Sequence, residues 1–505
     1  MASSNNKKSI ILGVVGLLLV VLGAVLVFVV PIVVKQQVEK NVRIDPSSGF
    51  AYEMWKDLPV PFFMSIYIFE VVNHKEFLLG EKPKVEQRGP YVYRESKQKT
   101  NITFHENGTV TYIETRLLQF EPKMSTGSEE DFIVFPNILV LGSSVMMQDF
   151  SFVKWMLSGA FAAFGQEAFI NRTVKDILWG YKEPFLDFVN TLLPGKLPFK
   201  DKFGLFADYN NSNSGIFTVN TGVADINQVQ MVDTWNGLRE VNFWNSEQAN
   251  MINGTSGQMW PPFRTPDQPL EFYSPDACRS LKFVFEKEDS YRGIPTFRYV
   301  APNYLFANGS DYPPNEGFCP CTASGVMNVS ACRAGAPLFL SFPHFYNADP
   351  GFVDAVDGLH PSEDLHSLFL DLHPLTGIPM NVSIKMQLSL FVKGVSGIPQ
   401  TGQISPVILP LLWFKESGYI DGPVYNTYYN TLIVLPIVLE YVQYILIAVG
   451  LCLILVAAVL PCVHQEKVFL FWTSDKKYDE NHELNKAQTE KLTSSNGTVL
   501  LEAKL

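Results

Sequence analysis

Charged residues are scarce in this chain of 505 residues: Asp, Glu, Lys and Arg make up 18% of it, against about 25% in a typical soluble domain. Basic residues are the minority, and the net charge of −11 excludes a general nucleic-acid binder, which would carry a basic face. Apolar residues reach 47%. This balance is typical of a protein with segments inside a membrane.

The motifs of common catalytic sites are also missing. No Gly-x-Ser-x-Gly, His-Glu-x-x-His, glycine-rich phosphate loop or dinucleotide fingerprint occurs. The one cluster of potential metal ligands lies in "GLHPSEDLHSLFLDLHPLTG" and comprises His360, Glu363, Asp364, His366, Asp371 and His373. In a strand, Asp371 and His373 would share a face and could join a metal site. However, the prolines imply turns and "SLFLDL" is typical of a core strand, so we expect no metal, no cofactor and no enzyme.

Two long apolar runs stand near the ends of the chain. Residues 9–34 and 441–463 contain no charge. At 1.5 Å per residue they reach roughly 39 Å and roughly 34 Å, enough to cross the roughly 30 Å hydrocarbon core. Lys7 and Lys8 precede the first run, and no good cleavage site follows it. We therefore predict an uncleaved signal-anchor with a cytosolic N-terminus.

Five parts follow: a cytoplasmic N-terminus (1–8), a membrane helix (9–34), an extracellular domain (35–440), a second membrane helix (441–463) and a cytoplasmic tail (464–505). No repeat or Ser/Gly linker divides the large segment, which indicates one domain. It carries eight glycosylation sequons, as an exterior domain would, at Asn101, Asn107, Asn171, Asn210, Asn253, Asn308, Asn328 and Asn381.

Only six cysteines are present. Four lie in the exterior segment, at Cys278, Cys319, Cys321 and Cys332. An even number in an oxidising compartment suggests two disulfides with three possible connectivities, and a zinc site is the alternative. Cys462, at the predicted cytosolic edge of the second span, is a candidate for S-palmitoylation or a buried membrane thiol.

Strand patterns dominate the exterior segment. In "NITFHENGTVTYIE", Asn107-Gly108 separates two β-rich runs and predicts a hairpin. "LKFVFEKED", "IPTFRYVA" and "SIKMQLSLFVK" alternate apolar and polar residues, as half-buried strands do. Frequent Pro and Gly favour an irregular antiparallel sheet or barrel.

Residues 137–189 have a helical pattern instead. "SFVKWMLSGAFAAFGQEAFI" is apolar on nearly every face, so this helix is either buried or meets a lipid or partner surface. Thr173 and Asp176 predict a capped helix start.

Gly13, Gly16 and Gly23 cluster within about 80° on one face of the first predicted span. Small residues on one face let membrane helices approach closely. Helix self-association, giving a homo-oligomer, and simple tolerance of Gly in a span both explain them.

Eight stretches of the exterior segment resemble, in order along the chain, the class B scavenger receptors. They are "GEKPKVEQRGPYVYRE", "FPNILVLG", "DILWGYKEPF", "FGLFADYNNSNSGIFTVNTG", "GTSGQMWPPF", "FYSPDACRS", "PPNEGFCPC" and "LPLLWF". The resemblance runs from the first span into the tail.

The resemblance implies an α+β fold in which two transmembrane helices flank one glycosylated ectodomain. That domain would have an antiparallel β-barrel-like core, an apical helical bundle and an internal lipid tunnel. It implies a plasma-membrane receptor, in caveolae or cholesterol-rich microdomains, with both termini cytoplasmic. High-density lipoprotein and its apolipoproteins would dock at the apex, and cholesteryl ester, cholesterol and phospholipid are the implied lipid partners. Other branches of the family suggest two alternatives, a lysosomal sorting receptor and a fatty-acid transporter.

The resemblance also assigns residues. The apex falls in the helical region, so its candidates for ligand contact or the tunnel entrance are Lys154, Trp155, Met156, Phe161 and Phe164, with positive charge from Arg172 and Lys175. The family pattern pairs Cys278 with Cys332 and Cys319 with Cys321.

The last three residues, Ala503, Lys504 and Leu505, differ by one residue from a peroxisomal Ser-Lys-Leu address. The two spans place this tail in the cytosol on a protein of the secretory membrane, which argues against that address. A free carboxylate after an apolar-x-apolar sequence suits a PDZ domain. The resemblance likewise implies a PDZ adaptor at the C-terminus.

Overall fold

The computed structural model describes residues 2–48, 50–192, 202–319 and 323–497. Within these ranges the helices are α1 (Ala2–Val42), α2 (Phe50–Lys56), α3 (His74–Leu78), α4 (Ile138–Met146), α5 (Ser151–Ala163), α6 (Val174–Trp179), α7 (Pro184–Leu192), α8 (Glu247–Asn250), α9 (Pro350–Asp354), α10 (Glu363–His366), α11 (Gly422–Tyr429) and α12 (Leu435–Gly497). A π-helical turn, Asn430–Val434, joins α11 to α12.

The strands in the same ranges are β1 (Phe62–Val71), β2 (Val85–Phe104), β3 (Thr109–Phe120), β4 (Phe132–Pro136), β5 (Phe169–Thr173), β6 (Ser212–Asn220), β7 (Val232–Trp235), β8 (Leu270–Ser274), β9 (Arg279–Tyr291), β10 (Ile294–Val300), β11 (Val326–Asn328), β12 (Leu338–Ser341), β13 (Phe369–His373), β14 (Ile378–Val392) and β15 (Val407–Tyr419). Two compact units result, one of Gln37–Tyr429 and one of Met1–Gln36 with Asn430–Leu505.

Two helices among the described residues are long and apolar enough to span a membrane, Lys7–Val42 and Gly422–Cys462. Most of each belongs to the terminal unit, while the end of the first and the start of the second belong to the other unit. Their most apolar windows have mean hydropathies of 3.3 and 3.0, and only 6% of each window is buried. A core helix of a soluble protein would be mostly buried, so these are the two membrane-spanning helices. Both are longer than the predicted spans because helical structure continues past the apolar runs.

Gly13, Gly16 and Gly23 face α12 of the same chain. A β-carbon at Gly16 would lie 2.6 Å from the carbonyl oxygen of Gly450, and one at Gly23 would lie 2.6 Å from the side chain of Ile447. Only residues without a β-carbon permit this approach. Because α12 occupies this face, a second chain would have to displace it, and self-association through these glycines stays a prediction.

The larger unit is built on one antiparallel sheet. Within the described residues it has 13 strands in the order β7-β6-β3-β2-β1-β15-β14-β13-β10-β9-β8, with β12 beside β14 and β11 beside β12. The central strand β1 pairs with β2 and β15, so that Phe62 lies opposite both Glu95 and Gly418. The predicted strands in "LKFVFEKED", "IPTFRYVA" and "SIKMQLSLFVK" are confirmed as β9, β10 and β14. The Asn107-Gly108 hairpin joins β2 to β3.

The two edge strands of this sheet, β7 and β8, are joined by the segment around Gly254 and Thr255. The backbone N–H of Val232 in β7 donates to the carbonyl oxygen of Gly254 (2.9 Å). On the other side, the N–H of Thr255 donates to Glu271 (3.0 Å), and its carbonyl accepts from Tyr273 (3.0 Å). This seam links both edges through backbone hydrogen bonds, so the sheet forms a nearly closed barrel.

The predicted helical region is only partly helical. α4, α5, α6 and α7 form there, and the side-chain oxygen of Thr173 accepts a hydrogen bond from the N–H of Asp176 (3.1 Å), as the capping pattern predicts. A strand, β5, interrupts them, however, and pairs with β4. The continuous helical interpretation was wrong at this point because β4, outside the window, supplies the hydrogen-bond partners that "FINRT" takes.

A buried polar cluster lies on the convex face of the sheet, the face that carries Gln87 of β2. The rings of His344 and His366 stack with centroids 4.5 Å apart. Nε2–H of His344 donates to Oε1 of Gln87 (2.8 Å), and Nδ1 accepts from the backbone N–H of His360 (3.1 Å). These two bonds suit a neutral ring. Burial first, then His366 and His360, lower the pKa of His344 to about 3, and burial followed by Lys385 lowers the pKa of His366 to about 4.

Gly254→Ala tests the seam. Gly254 has a φ of +84°, and a β-carbon there would overlap the backbone of Glu271. We expect the substitution to lower the free energy of unfolding by about 2 kcal/mol or more, measured by thermal unfolding of the purified full-length protein. Gly237→Ala is the matched control, because its φ is +77° but no described atom lies within 4 Å. Equal losses in both variants would argue against a tight seam.

The His344–His366 cluster makes stability depend on pH. Both folded-state pKa values lie below the unfolded value of about 6.5, so their stabilising contribution is complete above pH 6.5 and is lost as the pH falls toward 4. Each histidine contributes a slope of at most about 1.4 kcal/mol per pH unit. Denaturant unfolding at pH 7 and pH 5 should therefore show a large loss. His366→Asn should reduce that loss, whereas the exposed His105→Asn should leave it unchanged; equal pH dependence in both variants would exclude the cluster as its source.

Candidate functional site

The helices α4 to α7 gather at one end of the barrel. α4 contacts β14, and α5 contacts the turn Pro399–Thr401 in the connection between β14 and β15. The strand ends that lead toward the spans in sequence, at Phe62 and Tyr419, belong to the opposite end of the sheet. This apical group of helices is where the sequence places its candidate contact residues.

The helix α5 presents an apolar face to the outside. Phe152 and Trp155 are each 71% exposed, and Met156 is 41% exposed. They are spaced three and four residues apart, so they share one side of the helix, and the rings of Phe152 and Trp155 stack at 6.3 Å. We call these three residues the apical apolar face. Adjacent exposed large apolar side chains of this kind mark sites that meet a partner or a lipid.

Phe161 has a different role from the other candidates. It is completely buried and packs on Phe185 of α7, with ring centroids 5.2 Å apart. Its assignment to ligand contact or the tunnel entrance stays a prediction; in this structure the side of α5 opposite the apical apolar face packs on α7. Phe164 lies at the end of the same helix, 37% exposed, with its ring 5.2 Å from that of Phe188.

The three basic candidates are not equivalent. Arg172 lies over the ring of Tyr181 (4.6 Å), and its guanidinium is 4.0 Å from Glu183, so its charge is engaged within the protein. Burial, then Glu183, raises the pKa of Tyr181 to about 12. Lys154 is half-buried and Lys175 is exposed. Lys175 is therefore the basic candidate best placed to meet an approaching anionic group.

The concave face of the barrel carries a belt of charged side chains that the sequence reasoning missed. We call it the interior charged belt; it comprises Glu95, Lys97 and Lys99 on β2, Glu114 and Arg116 on β3, and Glu416 on β15. One contact shows that this face is the concave one. Nη1 of Arg116 on β3 lies 3.3 Å from Oδ2 of Asp276, which belongs to the turn between β8 and β9 at the far side of the sheet, so the sheet must curve toward this face. The opposite face carries the His344–His366 cluster.

Most members of the belt are paired. Nζ of Lys99 lies 3.0 Å from Oε2 of Glu114 and donates to the backbone carbonyl of Trp55 (3.0 Å). Nζ of Lys97 lies 3.3 Å from Oε1 of Glu95. Burial raises the pKa of Glu95 despite Lys97. Burial is also the largest influence on the pKa of Glu114, but Lys99 and Lys97 outweigh it and lower that pKa.

Arg116 is held on several sides. Its guanidinium donates to Asp276 and to the hydroxyl of Ser214 (2.7 Å), and it stacks over the ring of Tyr209 (4.1 Å). The hydroxyl of Tyr209 also donates to Asp276 (3.1 Å). The residues "GLFADY" at 204–209 thus pack on the concave face rather than forming a surface loop.

A signal for the belt exists in the sequence. "ESKQK" and "ETR" place charges at every second position, where one face of a strand repeats. Alternation normally assigns the charged face to solvent. Only the closure of the sheet turns this face inward, so strand periodicity alone gave no reason to bury it.

The structure describes one of the two predicted disulfides completely. A disulfide joins Cys278 to Cys332, as the resemblance implies. Cys319 is disulfide-bonded, while Cys321 lies outside the described residues. Cys462 is an exposed free thiol near the end of the second spanning segment. Its acylation stays a prediction.

The eight sequon asparagines differ in their surroundings, and their glycosylation stays a prediction. Five are exposed: Asn101, Asn107, Asn171, Asn210 and Asn253. Of these, Asn210 has its side-chain amide nitrogen engaged within the protein, where it donates to the carbonyl of Leu118 (3.0 Å). The remaining three are half-buried: Asn308, Asn328 and Asn381.

Two of the residues weighed as metal ligands, Asp371 and His373, have other partners. Asp371 forms a bidentate pair with Arg298, at 2.7 and 2.8 Å, and accepts from Asn381 (3.1 Å). Nδ1 of His373 lies 3.0 Å from the hydroxyl of Thr376. Among the residues that the structure describes, no three His, Cys, Asp or Glu side chains form a group that could hold a metal ion. The predicted PDZ ligand at residues 503–505 lies outside the described residues.

Comparison with known proteins gives a consistent result. Residues 14–461 match the CD36 family. Scavenger receptor class B member 1 of Sus scrofa is 58% identical over 497 residues, 98% of this chain and 97% of that protein. The protein of that name from Mus musculus is 57% identical over the same shares. Lysosome membrane protein 2 of Homo sapiens is 35% identical over 438 residues, 86% of this chain and 90% of that protein.

Proposed function

The chain belongs to the CD36 family, and from this premise we propose that it is a plasma-membrane receptor that binds high-density lipoprotein and transfers cholesteryl ester selectively into the cell. Free cholesterol would move in both directions by the same route. The observation that carries the proposal is the identity of 58% over 98% of the chain to a class B scavenger receptor. The lower identity of 35% to Lysosome membrane protein 2 gives less support to a lysosomal sorting receptor.

The apical apolar face is the part of the ectodomain that suits contact with a lipoprotein. Phe152 and Trp155 expose most of their surface to water, and covering each ring on a lipid surface is favourable by about 1.5–3 kcal/mol. Trp also suits the boundary between lipid and water, because its ring is apolar and its N–H is polar. The exposed Lys175 adds attraction to anionic groups of the particle.

A barrel interior offers the lipid a route that avoids water. Cholesteryl ester is almost insoluble, so its escape into water sets the barrier to transfer. An enclosed apolar path removes that step, and the net flow then follows the concentration gradient. This mechanism needs no nucleophile and no nucleotide, in keeping with a receptor rather than an enzyme.

The cytoplasmic parts serve location and assembly in this proposal. Both termini are cytoplasmic, the C-terminal Ala503, Lys504 and Leu505 bind a PDZ adaptor, and acylation of Cys462 favours cholesterol-rich microdomains. Homo-oligomers form in one of two ways: a second chain displaces α12 from the glycine face of α1, or the contact lies outside that face.

The double variant Phe152→Ala/Trp155→Ala tests the apical apolar face. We expect particle binding, and with it uptake of labelled cholesteryl ester, to fall at least about tenfold, because two large contact surfaces are removed. The measurement is dual-label uptake by cells, with cholesteryl ester and particle protein followed separately. Leu117→Ala is the control, since Leu117 is 53% exposed on β3, outside the apical helices. Equal binding by the double variant and the control would exclude this face as the docking site.

Deletion of Leu505 tests the tail. A PDZ domain holds the terminal carboxylate with backbone amides and the last side chain in a pocket, so the deletion should abolish adaptor binding and lower surface abundance. Co-precipitation of the adaptor and surface biotinylation measure the two effects. Lys504→Ala, which keeps the terminal Leu, should retain most binding. Undiminished adaptor binding after the deletion would refute the assignment.

A further inference from the structure

We propose that the interior charged belt contains a binding site for the hydroxyl group of a sterol, with the carboxyl groups of Glu416 and Glu95 as hydrogen-bond acceptors. This inference rests on the proposed function, because it takes the barrel interior as the path of the lipid. The inference adds one polar binding site to the apolar path that the proposed function places inside the barrel.

Two carboxyl groups of the belt have acceptor capacity left over. Both carboxylate oxygens of Glu95 are buried; Oε1 forms an ion pair with Nζ of Lys97 (3.3 Å), whereas Oε2 has no hydrogen-bond partner among the described residues. Glu416 is half-buried and has neither an ion pair nor a side-chain hydrogen bond within the described part of the chain. A buried acceptor without a donor is costly, so Oε2 of Glu95 favours a ligand that donates a hydrogen bond, and the half-buried carboxylate of Glu416 offers a second acceptor.

The cations of the belt are already bound to groups of the protein, which argues against a ligand with an anionic head group. Lys99 is bonded to Glu114 and to the carbonyl of Trp55. Arg116 is bonded to Asp276 and stacked on a ring. A fatty-acid carboxylate or a phosphate would have to break one of these pairs and would also meet Glu95 or Glu416 as a like charge.

A quaternary ammonium group is also disfavoured. Such cations bind on aromatic faces, but the rings beside the belt already carry protein cations. Lys97 lies over Phe62 (5.2 Å), and Lys99 lies over Trp55 (5.1 Å). A neutral hydroxyl needs no ring face and only a single acceptor, so it fits the groups that remain.

Apolar side chains stand directly beside the two carboxyl groups. Phe62 lies opposite Glu95, while Met64 and Ile384 lie opposite Glu416 in the register of the sheet. Phe62 and Ile384 keep part of their surface accessible. A single small polar point next to an apolar wall matches a sterol, which has one hydroxyl on a rigid apolar body. Cholesteryl ester has no hydroxyl to donate and would pass this point without that bond.

The test uses the full-length protein in nanodiscs and two photoreactive probes: a diazirine cholesterol analogue with a free 3-hydroxyl, and its 3-O-methyl ether. Wild type should crosslink the free sterol about tenfold more strongly than the ether, since a hydrogen bond to a charged group is lost. Glu416→Leu should abolish this preference, and Glu416→Gln, which keeps a carbonyl acceptor, should restore much of it. Equal labelling by both probes in wild type would overturn the proposal, as would stronger competition by palmitate than by cholesterol.

Two controls keep this test independent of folding and of the proposed function. Glu86→Leu removes an exposed carboxylate from β2 and should keep the wild-type preference. Thermal unfolding of each variant identifies a fold defect, and Glu95→Leu gives a second test of the same preference. Selective uptake of cholesteryl ester by cells with wild-type protein is measured in parallel. Its absence would refute the proposed function, whereas normal uptake without a hydroxyl preference would refute only the sterol site.

Discussion

Closure of the sheet at Gly254 and Thr255 is the contact on which the architecture of the ectodomain depends. Without it, β7 and β8 would be open edges with unpaired backbone groups. With it, the sheet has a concave and a convex face, and both are covered. Successive residues of a strand therefore point alternately into two different enclosed environments, one on each face of the sheet. The convex environment buries the neutral pair His344 and His366, and the concave one encloses the interior charged belt.

The interior charged belt is not explained by stability. Desolvation of two ions often exceeds the attraction between them, and apolar residues of similar size are frequently as stable or more so. The ion pair of Lys99 and Glu114 is an example: the two groups are 3.0 Å apart and Lys99 is almost fully buried, yet such a pair adds little to the stability of the fold. The belt instead places a polar zone beside apolar side chains of the same face, such as Phe62, Met64 and Ile384. A zone of this kind can distinguish lipids by their polar group, which a uniform apolar wall cannot do.

Local features of the fold were predictable because a few neighbouring residues determine them. The Asn107-Gly108 turn, the Thr173 cap and the strands β9, β10 and β14 each follow from a short pattern. The spans were predictable from length and charge alone. The resemblance added the choice of a barrel over an open sheet, the plasma membrane as the location and the Cys278–Cys332 pairing, which no local pattern could decide.

The remaining features depend on contacts between distant segments. β5 forms because β4 lies beside it, and a window of sequence that excludes β4 reads as helix. α5 is apolar on both sides, so its sequence could not show which side is covered. The packing of Phe161 on Phe185 decides this and leaves Phe152 and Trp155 outside.

The exposure of those rings and the enclosure of the charges are complementary departures from ordinary folding. A soluble domain buries its aromatic side chains and exposes its charges, because each choice lowers the free energy in water. Here the apical apolar face meets the solvent and the interior charged belt lies inside. In the proposed function each arrangement becomes favourable when a lipid is present: a lipid surface covers the rings, and a carboxylate oxygen without a hydrogen-bond partner receives a donor. In the function and the sterol site proposed above, both departures lie along one route, from the surface where lipid would arrive to the interior where its polar group would be recognised.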